Sequence, residues 1–225
     1  CKDIFIYGEI TRLSPEAPVP VLNPLKEISN DGMAKNVVNN VESLGINVYS
    51  VTNRNSIRKI RYVDKKSNQL VLRVDEHDYC DRISEKEMGG INNNVYKVLG
   101  NTVHIDAIII SDYCKGFLTE DDIQYICENN KNVFVDTKKE LGDWVNSAKY
   151  IKINSLEYEN NKTFFKNNSI MDKTIVTKGN EGCLFQDKIY PTKDVQVKDI
   201  SGAGDTFVAG LVVEYIRTKD IIRAI

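Results

Sequence analysis

Apolar spacing divides the chain into stretches of helical period and stretches of strand period. Residues 35–44 carry Val37, Val41 and Leu44 on one helical stripe closed by Gly45, and Ile46-Asn47-Val48-Tyr49-Ser50-Val51 then alternates as a strand does. The pattern changes over 57–63 and 69–74. Both of these read as strands, and the polar turn Asp64-Lys65-Lys66-Ser67-Asn68 between them predicts a hairpin. Helical spacing returns over 84–99, followed by a buried strand at 107–111 and a helix over 119–128 that Thr119 caps. Further strands are expected at 132–136, 150–154 and 174–177, with a short helix near 141–146 and a long amphipathic helix over 207–216. Prolines at 15, 18 and 20 exclude a helix near the start and permit only extended or edge-strand backbone.

Alternating helices and strands predict an α/β layer fold with a mainly parallel sheet, and the helix-free hairpin predicts a small β lid. Asp112, Asp136, Asn154 and Thr177 each end a predicted strand, the edge of an open parallel sheet where ligands bind. Gly202-Ala203-Gly204-Asp205 stands where a loop opens into a helix. There the unpaired amides and the helix dipole favour an anion, and Asp205 can take a proton from an attacking hydroxyl. A plain helix cap, with Ser201 as N-cap and Asp205 facing the dipole, reads the same residues equally well.

Composition adds exclusions. The 225 residues are 41% hydrophobic with a formal net charge of -2 and no long basic block, which argues against a nucleic-acid partner. Apolar runs are short, as at Ala107-Ile108-Ile109-Ile110, so neither a membrane span nor a membrane partner is expected, and the expected location is the cytoplasm. Five scattered cysteines without a C-x-x-C pair read as free thiols, and the two histidines form no metal motif. A start at Cys1 and an end in a helical run suggest a fragment. No P-loop motif is present, and Phe207 occupies the third glycine position of a dinucleotide fingerprint.

The motifs in order resemble the ribokinase, or PfkB, family of sugar kinases, and within it the D-glycero-D-manno-heptose 7-phosphate kinase branch. The family's C-terminal signature is matched from Asp199 through Gly202, Ala203, Gly204 and Asp205. The branch contributes Arg12-Leu13-Ser14-Pro15-Glu16-Ala17-Pro18-Val19-Pro20-Val21 and Ser111-Asp112-Tyr113-Cys114-Lys115-Gly116. Val135-Asp136-Thr137-Lys138, the stretch from Lys152 through Asn154 to Glu157, and Thr177-Lys178-Gly179 with Gly182 complete the set.

The resemblance implies a ribokinase-like domain over 1–225, incomplete at both ends, with a lid at about 12–24 and 57–75. It implies ATP and magnesium as cofactors and transfer of a phosphoryl group to a sugar phosphate. In the heptose branch the acceptor is the anomeric hydroxyl of heptose 7-phosphate, on the way to cell-surface polysaccharide. Asp205 would be the catalytic base, with Gly202, Ala203 and Gly204 as the anion hole. Asn154 and Glu157 would organise magnesium through water, and Lys138, Thr177, Lys178, Gly179 and Gly182 would line ATP. Asp3, Gly32 and Asn36 would hold the sugar, with Arg12, Arg73 and Lys115 available to its phosphate. Met33 departs from the family, which has a second glycine there. The family's first strand and the elements completing its adenine pocket have no match. A homodimer through the lid is the expected oligomer. Another sugar or nucleoside kinase of the same family, or a non-catalytic sugar-phosphate-binding protein of the same fold, are the alternatives.

Overall fold

The computed structural model describes residues 1–98, 101–193 and 202–225. Its first layer is a four-stranded sheet built from β1 (Lys2–Leu13), β2 (Pro20–Asp31), β3 (Arg58–Asp64) and β4 (Leu70–Glu76), in the order β2-β1-β3-β4. β1 and β3 run parallel, and the other pairs are antiparallel. Pro20 and Pro24 lie on β2, an edge strand, where a missing amide donor breaks no ladder on the outer side. The sheet takes in more chain than 12–24 and 57–75, because β1 and β2 each run for 12 residues.

Between the strand pairs lies α1 (Ala34–Ser43). After β4 come the short α2 (Glu85–Gly89) and a hairpin of β5 (Val95–Val98) and β6 (Asn101–His104). This hairpin replaces the helix expected over 84–99. Ser84 and Glu87 do form a capping box, but Gly89 and Gly90 follow at once, and Asn93 and Asn94 at φ 53 and 55 turn the chain into strand pairing.

The main sheet follows as β7 (Ile108–Asp112), α3 (Glu120–Asn129), β8 (Val133–Thr137), β9 (Tyr150–Asn154), α4 (Ser155–Asn160), α5 (Lys162–Asn167) and β10 (Thr174–Thr177). An antiparallel edge of β11 (Cys183–Phe185) and β12 (Lys188–Tyr190) completes it, and α6 (Ala203–Thr218) and α7 (Ile221–Ala224) end the chain. The order is β12-β11-β10-β9-β8-β7, with β7 through β10 parallel. Every residue of β8 is buried, as expected of a strand covered on both faces. One face packs Ile123, Ile126 and Trp144 against Val135 and Ile153. The other packs Val208, Leu211, Val212 and Tyr215 of α6 against Phe134, Ile175 and Phe185. Ala209 and Val213, on a second stripe of α6, meet Val37 and Val41 of α1. Thr119 caps α3 with Asp122 as its reciprocal partner, as the sequence indicates. The helix expected near 141–146 is one 3-10 turn, Asp143–Val145.

The strand expected at 46–51 does not form. β7 is the edge of its sheet, and among the described residues nothing pairs with 46–51. An apolar cavity of about 680 Å³ lies between this segment, β7, α1 and α6. Alternation alone supplies no ladder partner.

Two glycines of the β10–β11 turn separate backbone strain from steric conflict. Gly179 sits at φ 62 in open space, whereas at Gly182, φ 93, an added β-carbon would lie 2.0 Å from the Tyr190 carbonyl oxygen. Gly179→Ala should cost about 1–2 kcal/mol in urea unfolding. Gly182→Ala should cost about 3–5 kcal/mol, and equal losses would refute the distinction.

Candidate active site

The N-terminus of α6 is set by Gly202, at φ 78 and ψ 0, and among the described residues no side chain caps it. The cap position is therefore Gly202. Ser201 and Asp199 lie outside the described residues. Among the described residues no partner takes the first-turn amides, on a helix of 16 residues whose dipole points the same way. Asp205 is in that first turn and buried.

Among the described residues, two donors converge on its carboxylate. Asn36 Nδ2 donates to Oδ2 at 2.8 Å from α1, and Tyr113 Oη donates to Oδ1 at 2.6 Å from the loop after β7. Burial, and then the Asp205 carboxylate, push the Tyr113 phenol well above its ordinary range, so it remains a donor. Asn36 is itself held by Asn40, whose Nδ2 donates to the Asn36 carbonyl at 2.9 Å.

Beneath this turn lies a buried ion pair, Lys152 Nζ to Asp136 Oδ2 at 3.0 Å. A β-carbon at Gly204 would come within 3.0 Å of Lys152 Nζ, so the glycine lets the ammonium approach the helix start. Burial drives the Asp136 carboxyl upward, against the pull of Lys152 and Lys138. Next along the rim, Lys138 pairs with Glu157, which holds the ammonium above its ordinary range although burial works to lower it. Asn154 and Glu157 form a capping box on α4: Asn154 Oδ1 accepts the Glu157 amide at 2.9 Å, and Glu157 Oε2 accepts the Asn154 amide at 2.8 Å. Thr177 ends β10 beside Asn154, and Lys178, Gly179 and Gly182 form the turn that follows.

The four-stranded sheet presents a charged face to this rim. Asp3, Lys59 and Asp75 are register partners on β1, β3 and β4, and Phe5, Arg61 and Arg73 form the next row on the same face. Asp3 Oδ1 pairs with Arg61 Nη1 at 2.6 Å, and its Oδ2 would lie 2.1 Å from a β-carbon at Gly32, which explains the glycine. Met33 adopts φ 53, an uncommon backbone for a residue with a side chain. Arg73 forks onto Asp75, and Lys115 pairs with Asp78. Lys59 is in no ion pair among the described residues, and its ammonium stands 5.3 Å over the Tyr113 ring. Burial, with Arg73 close by, lowers its proton affinity.

The expected site residues thus fall into three neighbouring groups: Asn36 with Asp205 and the 202–204 turn, Asp3 with Gly32 and Arg73, and Lys138 with Asn154, Glu157 and Thr177. Arg12 joins none of them. It is exposed on β1, nine residues beyond Asp3, about 30 Å along the strand. Tyr113, Lys152, Lys59 and Arg61 were not singled out from sequence. A lysine between Ile151 and Ile153 in a buried strand was the available signal for Lys152. Tyr113 and Lys152 both lie within matched motifs, which by themselves give neither a role.

Residues 28–225 match the model of the pfkB family carbohydrate kinases. Among curated proteins, the bifunctional protein HldE of Helicobacter acinonychis is 28% identical over 272 residues, covering 99% of this chain and 58% of its own length. That of Aliarcobacter butzleri is 29% identical, covering 93% and 53%. The chain therefore spans a little over half the length of these relatives. The first alignment is longer than the chain, so that relative carries several tens of residues inside the aligned span with no counterpart here. Among solved structures, Escherichia coli phosphofructokinase-2 with substrates and products superposes at a TM-score of 0.66 and 13% identity, over 99% of this chain and 86% of that one. Thermotoga maritima ribokinase does so at 0.65 and 16%, over 99% and 86%. These likenesses show the ribokinase-like fold, and with the family model matching most of its length, the chain belongs to the pfkB family of carbohydrate kinases.

Proposed function

We propose that this domain transfers the γ-phosphoryl group of ATP to a hydroxyl of a sugar phosphate, the anomeric hydroxyl of heptose 7-phosphate. The carrying observation is the pairing of a buried, doubly hydrogen-bonded carboxylate, Asp205, with open helix-start amides, opposite a sheet face bearing Lys59, Arg61 and Arg73. The amides of Ala203 and Gly204 hold the phosphoryl oxygens as charge develops. The acceptor O–H gives its proton to Asp205, and its oxygen bonds to the γ-phosphorus. The bond from that phosphorus to the β,γ-bridging oxygen breaks, and ADP leaves. Asp3 orients sugar hydroxyls, and the cations of β3 and β4 receive the acceptor's own phosphate.

Magnesium fits this rim only through water. One Glu157 oxygen carries the Lys138 ammonium and the other the Asn154 amide, so a directly bound divalent ion would sit against the lysine charge, and Glu157 would instead order metal-bound waters. When bound, the ion neutralises charge on the ATP phosphates. Lys138 and the 177–182 turn border the nucleotide. The four-stranded sheet serves as a lid that excludes water. Its exposed Leu13, Leu25, Leu70 and Leu72, with Val19 in the turn between β1 and β2, support a homodimer through the lid.

Two experiments test this reading. With Mg·ATP and D-glycero-D-manno-heptose 7-phosphate, Asp205→Asn should lower turnover by about 10²- to 10⁴-fold while binding of both substrates persists. Near-normal turnover would remove Asp205 as the base. Lys59→Met should raise KM for the phosphorylated heptose about tenfold and leave KM for the phosphate-free sugar unchanged. An equal rise for both sugars would place the acceptor phosphate elsewhere.

A further inference from the structure

We propose that Tyr113 is the positioning residue of the catalytic base: it fixes the Asp205 carboxylate from the β7 side in the orientation that meets the incoming hydroxyl. The inference rests on Asp205 acting as base. Its physical ground is that the phenol is delivered by a loop pinned from both directions. On the sheet side, Asp112 Oδ1 accepts the Cys114 amide at 3.2 Å. Asp112 Oδ2 accepts Thr137 Oγ1 at 2.9 Å and meets Lys139 Nζ at 3.4 Å. On the other side, the Cys80 amide donates to the Lys115 carbonyl at 2.7 Å, and Lys115 pairs with Asp78. Gly116 completes the clamp, since a β-carbon there would stand 2.8 Å from the Cys80 carbonyl oxygen. A loop held this way cannot easily follow Asp205 if the carboxylate rotates, so the 2.6 Å contact fixes the carboxylate's orientation.

The Ser-Asp-Tyr-x-Lys-Gly stretch then divides its labour. Asp112, Lys115 and Gly116 hold the loop, and Tyr113 uses it. With Asn36 on Oδ2 and Tyr113 on Oδ1, each carboxylate oxygen has one fixed donor, and Oδ1 retains a lone pair for the acceptor O–H. The other charged groups around the pair are Lys138 and Asp136 from β8 and its following loop, Lys152 from β9, Lys59 from β3 and Asp3 from β1. Replacing the tyrosine by phenylalanine leaves all of them in place and keeps a ring under the Lys59 ammonium.

Tyr113→Phe in the full chain provides the test, read in two ways. With Mg·ATP and heptose 7-phosphate, kcat at neutral pH should fall about tenfold, with the acceptor KM changed less than about twofold. A collapse of the packing around the site would raise the KM values as well, so this split is the signature of a positioning role. The second readout needs no turnover. The carboxyl-carbon NMR signal of Asp205, identified by its loss in Asp205→Asn, should change its chemical shift at neutral pH in the phenylalanine variant, because the phenol donor to Oδ1 is gone. An unmoved signal would overturn the assignment. A moved signal in a protein that phosphorylates no acceptor would support the contact and sink the kinase reading instead. If Tyr113→Phe does not fold, 3,5-difluorotyrosine at 113 keeps the ring and offers a stronger donor. The Asp205 signal should then move from its wild-type position, and an unmoved signal would again overturn the proposal.

Discussion

The Asp205 carboxylate, gripped by Asn36 and Tyr113, is the contact on which the architecture converges. It joins three elements far apart in sequence: α1, the loop after β7 and the start of α6. Each depends on a different packing surface. α6 is held against the main sheet by Val208, Leu211, Val212 and Tyr215, and against α1 by Ala209 and Val213. Ala209 is fully buried, and its small side chain lets α1 approach closely enough for Asn36 to reach over the helix start. A buried carboxylate with only one donor would carry a desolvation cost of the order of 1–3 kcal/mol, so the two contacts and the packing behind them stand together.

The rim uses the same residues for folding and for chemistry. Asn154 and Glu157 cap α4 through reciprocal bonds to each other's amides, an arrangement sufficient to account for both residue types. Glu157 nevertheless also meets Lys138, so the cap fixes the carboxylate that orients a lysine ammonium over the rim. The Lys152–Asp136 pair repeats the pattern at greater depth. Two buried charges beneath Gly204 contribute little net stability, because their desolvation offsets most of their attraction. Their position under an anion-binding helix start is a better physical reason for keeping them than stability is.

Much of the architecture was legible because it rests on local signals. Thr119 with Asp122, Gly45 after α1 and the buried runs of β8 through β10 each mark an element with nearby residues. The failures share a cause. Residues 46–51 alternate convincingly, yet a strand is a property of two segments, and β7 offers this one no pairing. Residues 84–99 have helical spacing, but two glycines and two left-handed asparagines decide against it. Site residues in motifs could be named from sequence, whereas Tyr113, Lys59 and Arg61 gain meaning only from what faces them across the fold. Arg12 shows the converse: a residue within a matched motif that the length of β1 carries away from the others.

Among the described residues β7 has no neighbour on its outer side, and a cavity lies beside it, yet the site on that edge keeps its geometry. The irregular segment at 46–57 passes beside the cavity, and among the described residues it belongs to no sheet. The pins that matter, however, come from the other side. Asp112 is bound by Thr137 and Lys139, next to β8, and the loop backbone is bound by Cys80. β8 in turn is the most completely buried strand of the sheet. Tyr113 is thus referenced to the interior of the sheet and not to its open edge, and Asp205 is referenced to Tyr113. Changes in the chain along the cavity can alter stability and still leave the carboxylate and its two donors in register.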